Sequence, residues 1–549
     1  MTSFLKSYLK YWHTIRFLRI IQIYSRIKFS LRKSNVHLDL RNSLNELPDN
    51  WVKPAQRIQK MFSQDSFNFL NQTHKIKLMD WNNSNLSKLW LYNLHYFDDM
   101  NAFESEKRKD WHVGIVDRWI FENPPFNGIG WEPYPVSLRI VNWIKWTLAG
   151  NVIKDDWVHS LEVQARFLSK NIENHLLGNH IFSNAKALIF AGLFLKGDES
   201  RIWYSKGLKL IQKELHEQVL DDGGNFELST MYHLIFIEDL LDIINIHNAY
   251  GKNLPQSIED KINPMLRWLK LMCHPDGEIS FFNDAAFSFA PSVVEIESYA
   301  QRLLSIFTDI ELKDNSYYWL ESSGYIRVNS NNVVALLDCG QIGPDYLPGH
   351  AHADTLSFEL SLFSERFIVN SGTSLYESGE ERQKQRSTAS HSTVVIDGQN
   401  SSEVWAGFRV ARRARIITCD CKKDSDNILV KASHDGYHRI AGRPTHSRSW
   451  EFFKNRITIV DTINGGKSHE IDSYLHLHPK VVLINIKENI VNLEISGRKI
   501  KIDYQGKGTL KIKESSYHIE FGMSIKSICL HYRIIGNLPI EITTSISWQ

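Results

Sequence analysis

The segment "GHAHADTLSFEL", residues 349–360, places His350, His352 and Asp354 at alternate positions ahead of an apolar run. If the segment is a β-strand, these three side chains point to one face, which continues with large apolar residues. Imidazole and carboxylate groups that converge at the rim of an apolar core are typical of a binding cleft, where they can transfer protons or hold a metal ion. A solvated strand end is the alternative interpretation of so short a motif.

Three further stretches contain side chains suited to acid–base chemistry. Asn179 and His180 stand directly before an apolar helical pattern, and Tyr232 lies in the first turn of another. Arg386 and His391 occur together in "RQKQRSTASHSTVVIDG", just before an alternating run. Asn179 and Tyr232 also have structural alternatives, since asparagine often caps a helix and a helical tyrosine often buries its ring.

The composition is that of a globular protein, with 42% hydrophobic and 23% charged residues. Its 549 residues exceed what one ordinary core holds. The net charge of +2 gives no case for nucleic-acid binding, and the five scattered cysteines predict no disulfide framework. We therefore expect at least two domains and a partner that is not a nucleic acid.

Two kinds of hydrophobic pattern divide the chain. From about residue 85 to 320, apolar residues recur every three or four positions, as in "MYHLIFIEDLLDIINIHNAYG", which predicts successive helices. From 321 to 549, short alternating runs separated by Gly, Asn and Asp predict antiparallel strands in a large sandwich. We predict an N-terminal extension at 1–84, a helical domain at 85–320 and a β-sandwich at 321–549.

The N-terminal segment is basic and amphipathic: residues 1–33 carry eight lysine and arginine residues and no acidic residue. It contains no apolar run long enough for a signal peptide or a membrane span, so the sequence alone predicts a cytoplasmic protein without a transmembrane segment. Such a helix either packs on the following domain or contacts an anionic membrane surface peripherally. We favour packing and keep peripheral membrane contact as the alternative.

Taken together, these stretches resemble the heparinase II/III family of polysaccharide lyases. The similarity spans roughly residues 85–480 and includes "GWEPYPVSLRIVNWIKW", "VWAGFRVARRARI" and "HDGYHRIAGRPTHSRSW". The order and spacing of these motifs give the resemblance its specificity. It implies an α+β multidomain fold, in which an incomplete (α/α) toroid precedes an antiparallel β-sandwich, and a location in the cell envelope or periplasm.

The reaction that the resemblance implies is β-elimination at a uronic acid within an acidic polysaccharide. Such a reaction must neutralise the uronate carboxylate, remove the C5 proton and protonate the departing O4 oxygen. The resemblance assigns neutralisation to Asn179 and His180, and proton transfer to Tyr232 and His350. We expect a neighbouring cation, His233 or His180, to lower the pKa of the Tyr232 phenol from its ordinary value of about 10.

The resemblance also implies a structural divalent metal ion, most often zinc, held by His352, Asn370 and His391. Asn370 stands where the family carries a carboxylate, and a neutral amide weakens a zinc site because only its carbonyl oxygen can coordinate. A hydrogen-bonded cluster of the same three side chains, bracing the strand, is the alternative.

Sugar-binding candidates are Trp131, Tyr134, Arg139 and Arg386. The aromatic rings could stack on sugar rings, and the guanidinium groups could pair with carboxylate or sulfate. Packing within the loop and a surface ion pair are the alternative uses of the residues at 131–139.

Two other functions are compatible with these motifs. A glycoside hydrolase on a similar helical domain would need two carboxyl groups, for which Glu227 and Asp284 are candidates. A catalytically silent glycan-binding protein of a polysaccharide-producing pathway is the third. We favour the lyase.

Overall fold

The structure, a computed structural model, describes residues 3–31, 36–38, 43–306, 310–424 and 427–549. Helices dominate its first part and antiparallel strands its second, and the change falls between Leu304 and Ser316. The fold class predicted from the two hydrophobic patterns is therefore confirmed. Among the described residues, no helix is long and apolar enough to cross a bilayer.

The described helices are α1 Ser3–Ile15, α2 Ile20–Leu31, α3 Lys88–Tyr96, α4 Lys109–Glu122, α5 Pro133–Leu148, α6 Asp155–Lys170, α7 Gly178–Phe194, α8 Asp198–Gln218, α9 Thr230–Ala249, α10 Gln256–Glu259, α11 Ile262–Leu271, α12 Val293–Leu304 and α13 Glu380–Gln385. The two helices at the centre of the helical half are α7 and α9, because both are apolar on nearly every side and almost wholly buried. α7 packs against α5, α8 and α9.

The described strands are β1 Ser43–Leu44, β2 Met61–Ser63, β3 Ser66–Phe69, β4 Gln72–Lys75, β5 Leu195–Lys196, β6 Ser316–Leu320, β7 Tyr325–Ser330, β8 Val333–Asp338, β9 Phe358–Leu362, β10 Glu365–Ile368, β11 Val394–Ile396, β12 Val404–Trp405, β13 Arg409–Val410, β14 Ile416–Lys423, β15 Ile428–His434, β16 Thr445–Phe453, β17 Arg456–Asn464, β18 Ser468–His476, β19 Val482–Lys487, β20 Ile490–Ile495, β21 Arg498–Gln505, β22 Thr509–Glu520, β23 Met523–Asn537 and β24 Ile540–Trp548.

Three antiparallel sheets share one hydrophobic core in the second half. Their strand orders are β10-β9-β8-β7-β6, β11-β18-β23-β22 and β14-β15-β16-β17-β24-β21-β20-β19. In β16, β17 and β24, buried residues alternate with less buried ones, as expected when one face of a sheet covers a core. The sheets therefore form a sandwich whose one end meets the helical half.

The histidine motif does not begin a strand, so that prediction is wrong. β9 starts at Phe358, and His350 and His352 lie in the loop before it. At the two histidines the backbone bonds to the helical half: the Asp284 N–H donates to the His350 carbonyl, and the His352 N–H donates to the Asn283 side chain. The loop thus joins the two halves of the protein.

Candidate active site

Asp284 is the electrostatic centre of the region where the two halves meet. It lies in the loop between α11 and α12, and its side chain is fully buried. Its carboxylate is 3.0 Å from His350 Nδ1 and 2.9 Å from His352 Nε2, and it accepts hydrogen bonds from Arg382 Nη2 (2.7 Å) and Thr373 Oγ1 (3.1 Å). Burial acts to raise the pKa of Asp284, but Arg382 and the two histidines hold it well below its ordinary value.

The backbone of Asp284 positions a second part of the site. Its carbonyl accepts a hydrogen bond from Ser229 Oγ at 2.5 Å, and Ser229 is the N-cap of α9. The same Oγ accepts the N–H of Tyr232 at 3.2 Å. Through these bonds one loop fixes the first turn of α9 as well as the ring of His350.

Tyr232 and His350 are in direct contact. Their rings are stacked, with centroids 3.9 Å apart and an angle of 30° between the ring planes. The Tyr232 hydroxyl is 3.0 Å from the hydroxyl of Tyr376, and Phe408 packs edge-on against His350. The structure therefore brings the two predicted proton-transfer residues together, one from each half of the chain.

Asn179 and His180 approach the same site through Glu227. α7 begins at Gly178, and the Asn179 N–H donates to the Glu227 carboxylate, which lies 3.6 Å from His350 Nε2. A side chain at Gly178 would collide with this carboxylate, because a Cβ there would be 2.6 Å from Glu227 Oε1. Leu177 occupies the N-cap position of α7, and Asn179 lies within the first turn of the helix. The residue therefore does not serve as the N-cap that the structural alternative supposed.

His180 lies at the open side of the site and is partly exposed. Its Nδ1 is 3.2 Å from Glu173 Oε1, and its ring packs on Tyr134 with centroids 4.5 Å apart. Tyr134 is thus the sugar-binding candidate that the structure places beside the proposed carboxylate-binding pair. His180 lies in the first turn of α7 and Tyr134 packs against it, so both are near the helix N-terminus, where the helix dipole favours an anion.

The expected lowering of the Tyr232 pKa is wrong. Burial raises the pKa of Tyr232 well above its ordinary value, and its neighbour Tyr376 acts in the same direction. His233 is directed away, with its Nε2 bonded to the Met265 carbonyl, and burial lowers its pKa to about 4, so it is neutral near pH 7. The phenol is therefore protonated in the unliganded protein.

The three predicted metal ligands form a hydrogen-bonded chain. His391 Nδ1 is 3.0 Å from Asn370 Oδ1, His391 Nε2 is 3.2 Å from His352 Nδ1, and His352 Nε2 faces Asp284. The Asn370 carbonyl oxygen is on the far side of the His391 ring from His352, so only two ring nitrogens face a common point. A structural zinc ion needs four donors. Among the described residues, no three His, Cys, Asp or Glu side chains are arranged to share a metal ion.

Three of the sugar-binding candidates are packing residues. Trp131 and Arg139 are buried in the helical half, where Arg139 donates to Gln164 and lies 3.8 Å from the centre of the Trp119 ring. Arg386 is also buried and donates to the Ala351 carbonyl and to the loop before β13. The prediction that these three contact substrate is corrected: burial, which residue type alone does not reveal, removes them from solvent.

A cleft extends from this site along the helical half. It is lined by Arg57, Asn93, Asp98, Phe289 and Phe521, among others. Its continuation is lined by Tyr134, and Phe521 packs edge-on against Tyr376 at 4.8 Å, so both ends touch the residues described above. The cleft therefore lies directly beside the residues described above.

Three residues of the site were not predicted as functional in a lyase. Asp284 and Glu227 were named only for a hydrolase, and Tyr376 was not named at all, because "GTSLYESGE" matches no pattern with a known mechanism. Arg382 is the first residue of the segment "RQKQRSTASHSTVVIDG", and no role was predicted for it. A buried carboxylate in "FFNDAAF" between two helical segments is the signal that could have directed attention to Asp284.

Comparison with known proteins decides the family. The family model described as heparinase II/III N-terminus matches residues 3–313, and the model described as heparinase II/III-like, C-terminal, matches residues 313–549. The chain belongs to the heparinase II/III family. The match begins at residue 3, so this member of the heparinase II/III family shares more than the region from 85 to 480 with its relatives.

Curated relatives and solved structures are similar to this heparinase II/III protein at modest identity. A heparin-sulfate lyase of Bacteroides stercoris is 24% identical over 332 residues, which is 57% of this chain and 47% of that protein. The FtsZ-localized protein C of Caulobacter vibrioides is 22% identical over 379 residues, 66% of this chain and 62% of that protein. The crystal structure of a heparinase III superposes with a TM-score of 0.69 at 17% identity, covering 86% of this chain and 78% of that one. The sequence matches thus span about half to three fifths of the relatives' lengths, and the structural match shows the shared fold.

Proposed function

We propose that this heparinase II/III protein is a polysaccharide lyase that cleaves a uronic-acid-containing glycan by β-elimination. The observation that carries the proposal is the stacking of Tyr232, from the helical half, on His350, from the strand half. A phenol and an imidazole in contact supply the acid and the base of one elimination. The names of the relatives, which include heparin-sulfate lyases, agree with this reaction class.

The protonation states suggest which residue does which step. Because Asp284 is ionised, His350 Nδ1 is the nitrogen that donates to it, which leaves Nε2, 3.6 Å from the Glu227 carboxylate, as the nitrogen that accepts the C5 proton. The C5–H electrons form the C4=C5 double bond as the C4–O4 bond breaks. Tyr232 is protonated because burial raises its pKa, so its hydroxyl donates the proton that the departing O4 oxygen needs.

The uronate carboxylate is assigned to the start of α7. Negative charge builds up on this carboxylate as the C5 proton leaves, and donors aimed at it lower the barrier. The Asn179 amide and the His180 imidazole are the donors at this position, and both are half-buried at the cleft. The N-terminal end of α7 adds a favourable field.

A hydrolytic mechanism has less support from the same geometry. A glycosidase needs one carboxylic acid that is protonated and a second carboxylate free to act on water or sugar. Asp284 is fully buried and ionised, and it is engaged by Arg382, His350 and His352. It is therefore poorly placed to serve as either group.

The cleft also suggests a class of substrate. Three of the four lysine and arginine residues that line the described part of the cleft are paired: Arg57 lies 2.5 Å from Glu238, Lys186 lies 2.7 Å from Asp239, and Lys145 pairs with Asp242. Lys60 is the exception, and Asp98 and Glu520 line the same cleft. A densely sulfated chain needs cations that are free to bind sulfate. We therefore expect the substrate to carry carboxylates and few sulfate groups.

The test is a panel of acidic polysaccharides followed by ultraviolet absorbance. A lyase creates a C4=C5 double bond that absorbs, whereas a hydrolase releases reducing ends without absorbance. On an accepted substrate, Tyr232→Phe should reduce kcat at least about 100-fold. Tyr250→Phe, at the other end of α9, is the matched control and should leave kcat unchanged, because the Tyr250 hydroxyl has no hydrogen-bond partner among the described residues. Full activity of Tyr232→Phe would refute the assignment, and glycan binding without turnover would favour the silent alternative.

A further inference from the structure

The two N-terminal helices pack on the strand half through one face: α1 contacts Trp405, and α2 with the turn before it contacts Tyr346 in the loop that carries His350. The Tyr11 ring packs edge-on against Trp405 at 4.8 Å, and the Arg19 guanidinium lies 3.6 Å from the centre of the Tyr346 ring. Gln22, the buried residue of α2, donates to the Tyr346 carbonyl. Packing on the folded protein therefore occupies only one side of α1 and α2.

The other side of α2 presents an apolar stripe to solvent. Ile20, Ile23, Tyr24, Ile27 and Leu31 follow the spacing of one helix face, and their exposed fractions are 85%, 43%, 59%, 57% and 78%. An apolar stripe on a helix is normally buried, so its exposure indicates a partner.

The same arrangement continues on α1. Tyr8, Trp12 and Ile15 lie three and four positions apart, with exposed fractions of 62%, 56% and 48%. Two of them are aromatic residues with a polar edge, the type that is enriched at the boundary between lipid chains and water. Both helices therefore present large apolar side chains outward.

The positive charge of these helices favours an anionic lipid surface over a second copy of the same segment as the partner. Arg16, Arg26 and Lys28 are exposed beside the stripe, and residues 1–33 contain no acidic residue. A second copy of this segment would repel the first, because both would carry the same positive charge. An anionic lipid surface supplies an apolar layer for the stripe and negative headgroups for the cations.

We propose that α1 and α2 bind the surface of an anionic membrane without crossing it. α2 contacts Tyr346, four residues before His350, so binding would hold this loop near the bilayer. This inference is independent of the lyase chemistry, because it concerns the outer face of the helices and not the site.

The test is co-sedimentation of the full chain with vesicles of phosphatidylcholine alone or mixed with phosphatidylglycerol. We expect the bound fraction to rise at least about tenfold with the anionic lipid and to fall in high salt. The variants Ile20→Ser/Ile27→Ser and Arg26→Glu/Lys28→Glu should each abolish binding. Val152→Ser/Ile202→Ser removes two equally exposed apolar residues elsewhere and should not change it.

Two results would overturn the proposal. One is equal sedimentation with both vesicle types, or none with either. The other is a dimer in light scattering that Ile20→Ser/Ile27→Ser dissociates, since that would show a second copy covering the stripe. Circular dichroism verifies folding of each variant. If the serine variant does not fold, the charge-reversal variant, whose side chains are exposed, carries the same test.

Discussion

Replacing Asp284 with asparagine would remove one buried negative charge while keeping the shape of the side chain. The Arg382 guanidinium, which is fully buried, would then lack its counter-ion. The asparagine NH₂ cannot accept a hydrogen bond, so it would face at least one of the donors that now bond to the carboxylate. Removing one partner of a buried ion pair costs about 3–5 kcal/mol, because the other charge stays buried and uncompensated. We expect Asp284→Asn to lower the free energy of unfolding by this amount.

The same change should reduce the proposed lyase activity beyond the effect on stability. The Asp284 carboxylate holds the Nδ1 side of His350, so its loss frees the ring that stacks on Tyr232. Misplacing a catalytic group by 1 Å can cost about 100-fold in rate. We expect a loss of kcat of this order, measured by ultraviolet absorbance at a temperature where the variant is still folded.

The chain offers a matched control in Asp461, which lies in the sandwich. It is equally buried and accepts hydrogen bonds from Arg448 (2.9 Å) and from His446 (2.7 Å). Asp461→Asn should therefore cost a similar free energy of unfolding, read from urea denaturation, and leave kcat unchanged. The reasoning is refuted if Asp284→Asn unfolds within 1 kcal/mol of the parent, or if both variants lose kcat equally.

The pH dependence of stability follows from the same charge. Because Arg382, His350 and His352 hold the pKa of Asp284 below its unfolded value, the ionised carboxylate stabilises the fold at every pH above about 4. This stabilisation is lost as the pH falls toward the folded pKa. Asp284→Asn should accordingly show a shallower loss of stability between pH 5 and pH 2 than the parent, measured by urea denaturation at each pH.

Two further predictions concern the neighbours of this centre. Tyr376→Phe removes a hydroxyl 3.0 Å from that of Tyr232, so we expect kcat to fall roughly tenfold with a change in unfolding free energy of about 1 kcal/mol, measured by steady-state kinetics and urea denaturation. Unchanged kinetics would show that Tyr376 does not position the phenol. Elemental analysis of the purified protein should find substoichiometric zinc, because His352 and His391 offer only two converging nitrogens. One zinc per chain that His391→Ala abolishes would contradict this.

The sequence predicted the fold class because hydrophobic period is a local property. The helical spacing before residue 304 and the alternation after 316 can be read within windows of ten to twenty residues. The prediction of a strand at His350 was wrong because the conformation there depends on distant parts of the chain. Its backbone hydrogen bonds go to Asn283 and Asp284, about 70 positions away, and no local pattern reports such partners.

Site residues that belong to a motif could be predicted from the sequence, whereas properties that depend on burial, such as a pKa or exposure to solvent, could not. The stretches around Asn179, Tyr232 and His350 were found from residue types and order, and the structure brings them together. The predicted lowering of the Tyr232 pKa was wrong, because burial of the ring raises the pKa and outweighs the effect of any nearby cation. Arg139 was assigned to sugar for a similar reason: its charge suggested the surface, and its stacking on Trp119 could not be read from the sequence.

The position of Asp284 explains how the helical half and the strand half can share one candidate site. Its side chain orients His350 of the strand half, and its carbonyl holds Ser229, which caps the helix bearing Tyr232. The two rings must stay within a fraction of an ångström of their working distance for proton transfer at adjacent sugar atoms. Because a single loop bonds to His350 and to the start of the helix that bears Tyr232, motion of one half relative to the other changes the distance between the two rings less. We therefore expect changes at Asp284 and Ser229 to affect kcat non-additively, since both act on one geometric relation.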